Sequence, residues 1–489
     1  MRMHLKTPLH PLPGLLCLLC SLCIAVTVPF DAARSQALPS MGDPASGVIS
    51  PSEEKKIGQA LLRQLRASSA TLEDPLLKNH VEHLLYRLVT SSELKERQLS
   101  LVIIRSPDLN AAVFPGSVVM VSDGLFFHAD TEQLLAAILA HELAHLSQRH
   151  FARMFTSQKK SQAISTVGLL AGLALMATGG TDAGLAAITS SQSYGQHGQL
   201  KYNRELEEEA DRIGITTLAE SDMDPYAMAY VFEQLQESTR YSAANRIPEF
   251  LRTHPVTRAR IADAYNQSSK YPKQTYPLSL DYQLMRARAK AITSDDLTLG
   301  RRFEAGMKDD DPVQQTANKY GLALTLTNDY KFEAARQNVK ELRDAHPYNT
   351  AFRIAEIDTY LMASQPGQAI ALLEDALALN PDNYPLSMQY AKAFIAARRP
   401  ADAISVLKPL SIARPSDDQV WYMLAESYGL ASNIIGVHEA RAEYFVLNGD
   451  FEQAIKQLGY ALPMVEDSFQ LTARIERRLA EIEAMEEGL

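Results

Sequence analysis

The chain has 489 residues, a formal net charge of −10 and a hydrophobic fraction of 46%. This length exceeds one ordinary hydrophobic core, so we expect two folded domains. An acidic protein with scattered lysines and arginines is a poor candidate for binding nucleic acid, and we expect no nucleic-acid partner.

The first 37 residues have the pattern of an export signal. Two basic residues precede a mostly apolar run of 14 residues, from Leu15 to Val28. Ser35 and Ala37 then place small residues at the −3 and −1 positions of a cleavage site. This order is typical of a cleaved signal peptide, 1–37. The alternative is a transmembrane anchor, but the run is shorter than the roughly 20 residues that a spanning helix needs.

All three cysteines, Cys17, Cys20 and Cys23, lie inside this apolar run. The mature chain would therefore contain no cysteine, and it would need neither disulfides nor thiolate ligands. Any metal site must then be built from His, Asp and Glu.

Residues 38–270 are predicted to form a small α+β domain. From Ser52 to about Ser92, leucines recur at the spacing of one helix face. Leu99 to Ile104 and Ser117 to Ser122 are β-branched, apolar segments that indicate strands. A long helix is predicted from Thr131 to about Thr156, where apolar residues again recur at helical spacing.

Beyond residue 310 the sequence repeats every 34 residues. The repeated positions are prolines at Pro347, Pro381 and Pro415 and alanines at Ala335, Ala369 and Ala403. The segment from Trp421 to Tyr428 matches the first helix of a tetratricopeptide repeat. Small residues let paired helices pack closely, and each proline ends a second helix. We predict an α-solenoid of tetratricopeptide repeats over 310–489, joined to the first domain by a helical linker, 271–309.

The pentad His141-Glu142-Leu143-Ala144-His145 indicates a metal site. On a helix, His141 and His145 lie one turn apart on the same side, so both imidazoles can bind one ion. Glu142 lies beside that face and is placed to accept a proton during catalysis. Such a pentad also occurs by chance, but its apolar neighbours indicate a buried helix. Two nitrogens and a carboxylate suit zinc, so we predict one zinc ion per chain in a mostly helical, zincin-like α+β peptidase domain.

The third ligand is expected from a later helix. The segment 204–211 reads Arg-Glu-Leu-Glu-Glu-Glu-Ala-Asp and contains four glutamates. A run of glutamates is usually a solvated face, so the residue types alone leave the choice among the four open.

The pentad followed by R-x-x-E-x-x-A-D resembles the zinc peptidases of the CAAX prenyl endopeptidase and HtpX type. Arg204, Glu207, Ala210 and Asp211 fit that motif residue by residue. The resemblance implies that Glu207 is the third zinc ligand and that Asp211, one turn on, orients a ligand histidine. A His-Pro pair recurs in these peptidases where His254 stands, which implies either a fourth ligand in a resting state or a group that stabilises the oxyanion. A histidine that caps a surface turn is the third interpretation.

With the leader and the repeats included, the whole chain resembles periplasmic peptidases of this type that work on outer-membrane protein assembly. The resemblance implies a periplasmic zinc endopeptidase in quality control and assembly of outer-membrane β-barrel proteins. Its substrates would be unfolded or misassembled outer-membrane proteins, and its repeats would bind these clients or the β-barrel assembly machinery. The alternative is a non-proteolytic chaperone or scaffold, against which Glu142 argues, because a scaffold needs no base.

Three further features complete the expectations from the sequence. The segment 158–199, rich in Gly, Ala and Ser, is a core helix, a mobile lid, or an interfacial segment in peripheral contact with a membrane or substrate. The strand Ser117 to Ser122 is expected to bind an extended substrate by edge pairing. His128, His150 and His197 have no partner at helical spacing and are interpreted as structural or solvated.

Overall fold

A computed structural model describes residues 49–68, 71–158, 196–241 and 249–487. The predicted signal peptide, 1–37, lies outside the described residues, as does nearly all of the segment 158–199. The described residues all belong to one compact unit.

Two helices open the described chain, α1 (Pro51–Ala67) and α2 (Pro75–Ser91). Ser50 begins α1 with a capping box, because its side chain accepts from the N–H of Glu53 while the Glu53 side chain accepts from the N–H of Ser50. Asp74 caps α2 in a similar way. The predicted helical region from Ser52 to Ser92 is therefore interrupted, and the residues between the helices lie beside the sheet, where the N–H of Leu72 donates to Ile103.

The sheet has three strands, β1 (Ser100–Ile104), β2 (Ala111–Phe114) and β3 (Val118–Ser122), in the order β1-β3-β2. Strand β3 pairs in parallel with β1 and antiparallel with β2, and all five of its residues are buried. The expectation that Ser117 to Ser122 binds substrate by edge pairing is therefore wrong, because both edges of β3 are already used. Within the described residues β2 pairs only with β3, so its second edge remains available.

The helices that follow complete the first half of the chain, and one of them, α4, packs on β2. They are α3 (Gly124–His128), α4 (Glu132–Ser147), α5 (His150–Gln158), α6 (Gln196–Glu220), α7 (Ala227–Tyr241), α8 (Glu249–Thr253) and α9 (Arg258–Ser268). Residues 135–144 of α4 are all buried, as expected of a helix that is apolar on every side. The long helix predicted from Thr131 to Thr156 ends at Ser147, and Arg149 has a left-handed backbone (φ 50°) before α5 begins.

The remaining helices lead into and form the repeats. They are α10 (Leu280–Thr293), α11 (Leu299–Gly306), α12 (Pro312–Asn328), α13 (Phe332–Ala345), α14 (Thr350–Met362), α15 (Pro366–Leu379), α16 (Tyr384–Ala396), α17 (Pro400–Ala413), α18 (Asp418–Leu430), α19 (Ile434–Asn448), α20 (Phe451–Ala461) and α21 (Phe469–Glu487), with a short 3₁₀ turn at Leu462–Met464. These elements confirm the predicted fold class, mostly helical α+β followed by helical repeats.

The 34-residue period also appears in the backbone. Left-handed residues stand at the turn between paired helices, at Tyr330, Ser364, Arg398 and Ser432. The alanines that define the period, Ala335, Ala369 and Ala403, are fully buried. Small side chains at these positions allow the close helix packing on which a solenoid depends.

The repeats pack directly on the first half of the chain. One continuous set of buried apolar side chains extends from α2 and α4 through α10 into α12 to α17. Ion pairs join the same parts: Lys78 with Asp417 (3.0 Å) and Arg414 with Glu82 (2.7 Å). The domain boundaries at 270 and 310 stay a prediction, because the apolar core and the ion pairs continue across both positions.

Candidate active site

Three elements bring the predicted site residues together. Helix α4 supplies His141, Glu142 and His145, helix α6 supplies Glu207, and His254 directly follows α8. The Nε2 atoms of His141 and His145 are 3.0 Å apart. Oε2 of Glu207 lies 3.5 Å from Nε2 of His141, and Oε1 of Glu207 lies 3.5 Å from Nε2 of His145. One ligand atom from each of the two histidines, Glu207 and His254 lies within 4.8 Å of all the others.

Asp211 lies behind His141, as the resemblance implies. Its Oδ1 is 3.0 Å from Nδ1 of His141, which leaves Nε2 pointing into the cluster. Arg260 donates two hydrogen bonds to the Asp211 carboxylate, at 2.8 and 2.7 Å, and its Nη1 lies 3.1 Å from Glu207. A bidentate guanidinium fixes the plane of a carboxylate, so Arg260 orients Asp211 and, through it, His141.

His150 lies behind His145 in the same manner. The two Nδ1 atoms are 2.9 Å apart, and Nε2 of His150 is 3.3 Å from a carboxylate oxygen of Glu209. His150 is 2% exposed, and burial, reinforced by the charge of Arg153, lowers its pKa to about 4. The interpretation of this histidine as structural or solvated missed its contact with a predicted ligand.

Glu142 is a buried carboxylate that faces the cluster. Among the described residues none donates a hydrogen bond to its Oε1, and the closest imidazole atom, Nε2 of His254, is 3.5 Å away. Burial raises the pKa of Glu142, while His254 and the backbone N–H of Val113 on β2 lower it. Burial prevails, so the pKa of Glu142 lies above its usual value, and a bound cation would lower it. The free oxygen is therefore an acceptor held beside the place where the ligand atoms meet.

The charges in the pocket suit a cation. Burial raises the pKa of Glu207, but His254 and His141 outweigh this effect and hold that pKa well below its usual range. Burial opposes protonation of His141, yet the nearby carboxylates of Asp211 and Glu207 raise its pKa to about 9. Burial and the neighbouring His141 hold the pKa of His145 well below its usual value. The carboxylates thus stabilise positive charge between the Nε2 atoms, and two nitrogens with one carboxylate are a donor set that fits a catalytic metal.

Two residues at this site were missed by sequence reasoning, Arg260 and His150. Arg260 has no local signal, because its partner Asp211 lies 49 residues earlier. His150 follows the pentad by five residues, a spacing that does not share a helix face. Of the other histidines set aside, His128 is exposed, and the side chain of His197 lies outside the described residues.

Similarity to known proteins agrees with this geometry. Residues 75–267 match peptidase family M48, and residues 360–426 match the tetratricopeptide repeat. The chain is 31% identical over 478 residues to the beta-barrel assembly-enhancing protease of Escherichia coli (strain K12), covering 96% of both proteins. It is 31% identical over 454 residues to the protein of the same name from Yersinia pestis, covering 92% of both. Mitochondrial metalloendopeptidase OMA1 of Schizosaccharomyces pombe is 30% identical over 182 residues, which is 37% of this chain and 50% of that protein.

The buried cluster and the M48 match define a metallopeptidase joined to tetratricopeptide repeats. The chain belongs to the family of beta-barrel assembly-enhancing proteases. In the part of the chain that the structure describes, no helix has the length and apolar character needed to cross a membrane.

Proposed function

We propose that the chain is a periplasmic zinc endopeptidase that acts on unfolded or misassembled outer-membrane proteins. The observation that supports this most directly is the convergence of His141, His145 and Glu207 beside the free oxygen of Glu142. The names of the relatives support a role in β-barrel assembly. The compartment and the client class rest on the predicted leader at 1–37 and on the resemblance given by the sequence motifs. The repeats, 310–489, bind clients or the β-barrel assembly machinery in this proposal.

His141, His145 and Glu207 would hold one zinc ion. Zinc supplies a Lewis acid that polarises the scissile carbonyl and makes water a better nucleophile near neutral pH. Glu142 accepts the proton of the attacking water and then delivers a proton to the leaving amine. Asp211, held by Arg260, lies against Nδ1 of His141, so that Nε2 is left to hold the ion when it is bound.

The available edge of β2 is the proposed place for an extended substrate. Helix α4 packs against β2, and the N–H of Val113 acts on the Glu142 carboxylate. A peptide that pairs with Ala111–Phe114 would therefore run beside the base. Strand pairing uses backbone hydrogen bonds and does not depend on side chains, so this contact suits unfolded clients of varied sequence.

The test of the proposal compares Glu207→Gln with Glu208→Gln on the same helix. Zinc binding worth about 10–16 kcal/mol in structural sites with four protein ligands amounts to roughly 2.5–4 kcal/mol per ligand. We expect Glu207→Gln to lower zinc affinity about 10²–10³-fold and to stop cleavage of an unfolded outer-membrane protein. Bound zinc and cleavage are measured on the same preparations.

Glu208→Gln is the matched control, because this side chain is 42% exposed and pairs with Arg212 at the surface. It should bind zinc and cleave as the wild type does. If Glu208→Gln is inactive and Glu207→Gln is active, the third ligand is Glu208 and not Glu207. A wild-type protein without zinc or cleavage would overturn the proposal.

His254 is proposed to restrain the resting enzyme. Its Nδ1 lies 3.2 Å from Nε2 of His141 and 3.0 Å from both oxygens of Glu207, within the ligand cluster itself. A histidine at this position would compete with substrate for a bound ion. We expect His254→Ala to retain zinc and to cleave an unstructured substrate faster than the wild type, with His128→Ala as the surface control.

The other two roles for His254 give different results in the same assay. A group that stabilises the oxyanion would cost roughly 10²–10³ in rate when removed. A histidine that only caps the turn would leave the rate unchanged. Either result contradicts restraint by His254.

A further inference from the structure

The contact between His150 and His145 depends on a break in the helix. In a continuous α-helix a residue five positions on is rotated by about 140° from the first, since each residue turns about 100°. His150 would then point away from the ligand. Instead α4 ends at Ser147, and Arg149 adopts a left-handed backbone (φ 50°). This turn brings the His150 ring back against His145, with centroids 4.8 Å apart.

Arg149 is held in this conformation by distant contacts. Its guanidinium donates to Glu54 on α1 (3.0 Å) and to the carbonyl of Ile49 (2.8 Å). A left-handed backbone is strained at a residue with a side chain, because Cβ comes too close to the following carbonyl oxygen. The fold therefore maintains a strained turn at the point that aims His150 at the metal-binding helix.

The hydrogen bonds allow one consistent arrangement of protons. Nε2 of His145 faces the ligand cluster, so its Nδ1 carries the proton when the imidazole is a neutral ligand. That N–H donates to Nδ1 of His150, 2.9 Å away. Nε2 of His150 then carries a proton and donates to Glu209, whose oxygen also accepts from Arg153 at 2.9 Å.

We propose that His150 is the positioning residue of the ligand His145: it holds the tautomer and ring orientation that present Nε2 to the metal, and Glu209 and Arg153 anchor it. This assignment rests on the proposed zinc site. Each ligand histidine then has a pair of residues that orients it. Asp211 and Arg260 orient His141, and His150 and Glu209 orient His145. A neutral imidazole supports His145 without adding a second negative charge beside it.

The test measures the zinc dissociation constant by competition with a chelator of known affinity. His150→Leu fills a similar volume and removes the acceptor, and we expect zinc affinity to fall about 10–100-fold, as for other partners of metal ligands. His150→Asn places a carbonyl oxygen close to where Nδ1 was, and it should restore most of that loss. Unfolding temperatures of the metal-free proteins identify any loss that comes from packing alone.

Glu209→Ala and Glu208→Ala complete the test on neighbouring positions of α6. Glu209→Ala should weaken zinc binding, whereas Glu208→Ala, which removes the same charge, should not. This pair decides the question if His150→Leu does not fold. Equal losses in His150→Leu and His150→Asn, or equal affinities in the two glutamate variants, would overturn the role of His150. A wild-type protein that binds no zinc would overturn the proposed function instead.

Discussion

We expect Glu142→Gln to keep its zinc and to lose peptide cleavage by about 10²–10⁴-fold, the usual contribution of a general base. Glutamine has the size and shape of glutamate, so the buried α4 should pack as before. Its amide cannot accept the proton that the free Oε1 of Glu142 is placed to receive. The measurement is the cleavage rate of an unfolded outer-membrane protein at saturating enzyme, alongside bound zinc.

Glu132→Gln is the matched control, because Glu132 opens the same helix about 15 Å from Glu142 at 1.5 Å per residue. This variant should cleave at the wild-type rate. If Glu142→Gln also cleaves at that rate while zinc is bound, the base has been assigned wrongly. If neither the wild type nor any variant cleaves, the non-proteolytic scaffold becomes the better explanation.

The part of the site that lies on one helix could be predicted from sequence, because helical geometry fixes the relation between neighbours. The shared position of His141 and His145 on one helix face could be predicted from their spacing of four residues alone. Glu207 could not be selected from its run of glutamates by spacing, and only the resemblance singled it out. In the structure Glu207 is buried, but burial depends on how α6 packs against α4, which no local pattern shows.

The supports of the ligands were not predictable, since each depends on tertiary contacts. Arg260 pairs with Asp211 only because α9 packs on α6, and His150 contacts His145 only because Arg149 breaks a helix that periodicity would continue. The central position of β3 was missed for a similar reason. Strand β2 is four residues long, too short for alternation to indicate a strand that occupies the edge.

The separation into two domains followed from the change of pattern near residue 310, but the structure joins the two parts through polar contacts at buried positions. Arg288 on α10 is 5% exposed and lies between both parts. It pairs with Asp74 at the start of α2 (2.8 Å) and approaches Asp358 on α14 (3.7 Å). A sequence pattern can mark where a repeat begins, but it does not show which charges meet across that boundary.

We expect Arg288→Met to lower the free energy of unfolding by about 3–5 kcal/mol, because removing one partner leaves buried charges without compensation. Asp74 would lose its partner, and Asp358, whose pKa burial already raises, would lose the nearest guanidinium. The measurement is urea unfolding, followed by helix content and by zinc release. Since Arg288 bridges α2 and α14, we also expect the repeats and the peptidase region to separate into two transitions in this variant.

Arg302→Met supplies the control on the adjacent helix α11. Arg302 forms an ion pair of 2.7 Å with Asp296, but its side chain is 70% exposed. Water solvates both groups, so the loss of stability should be small compared with that of Arg288→Met. The same substitution thus removes one buried bridge and one solvated pair from neighbouring helices. Equal losses in the two variants would show that the Arg288 bridge contributes no more to the free energy of unfolding than a surface contact does.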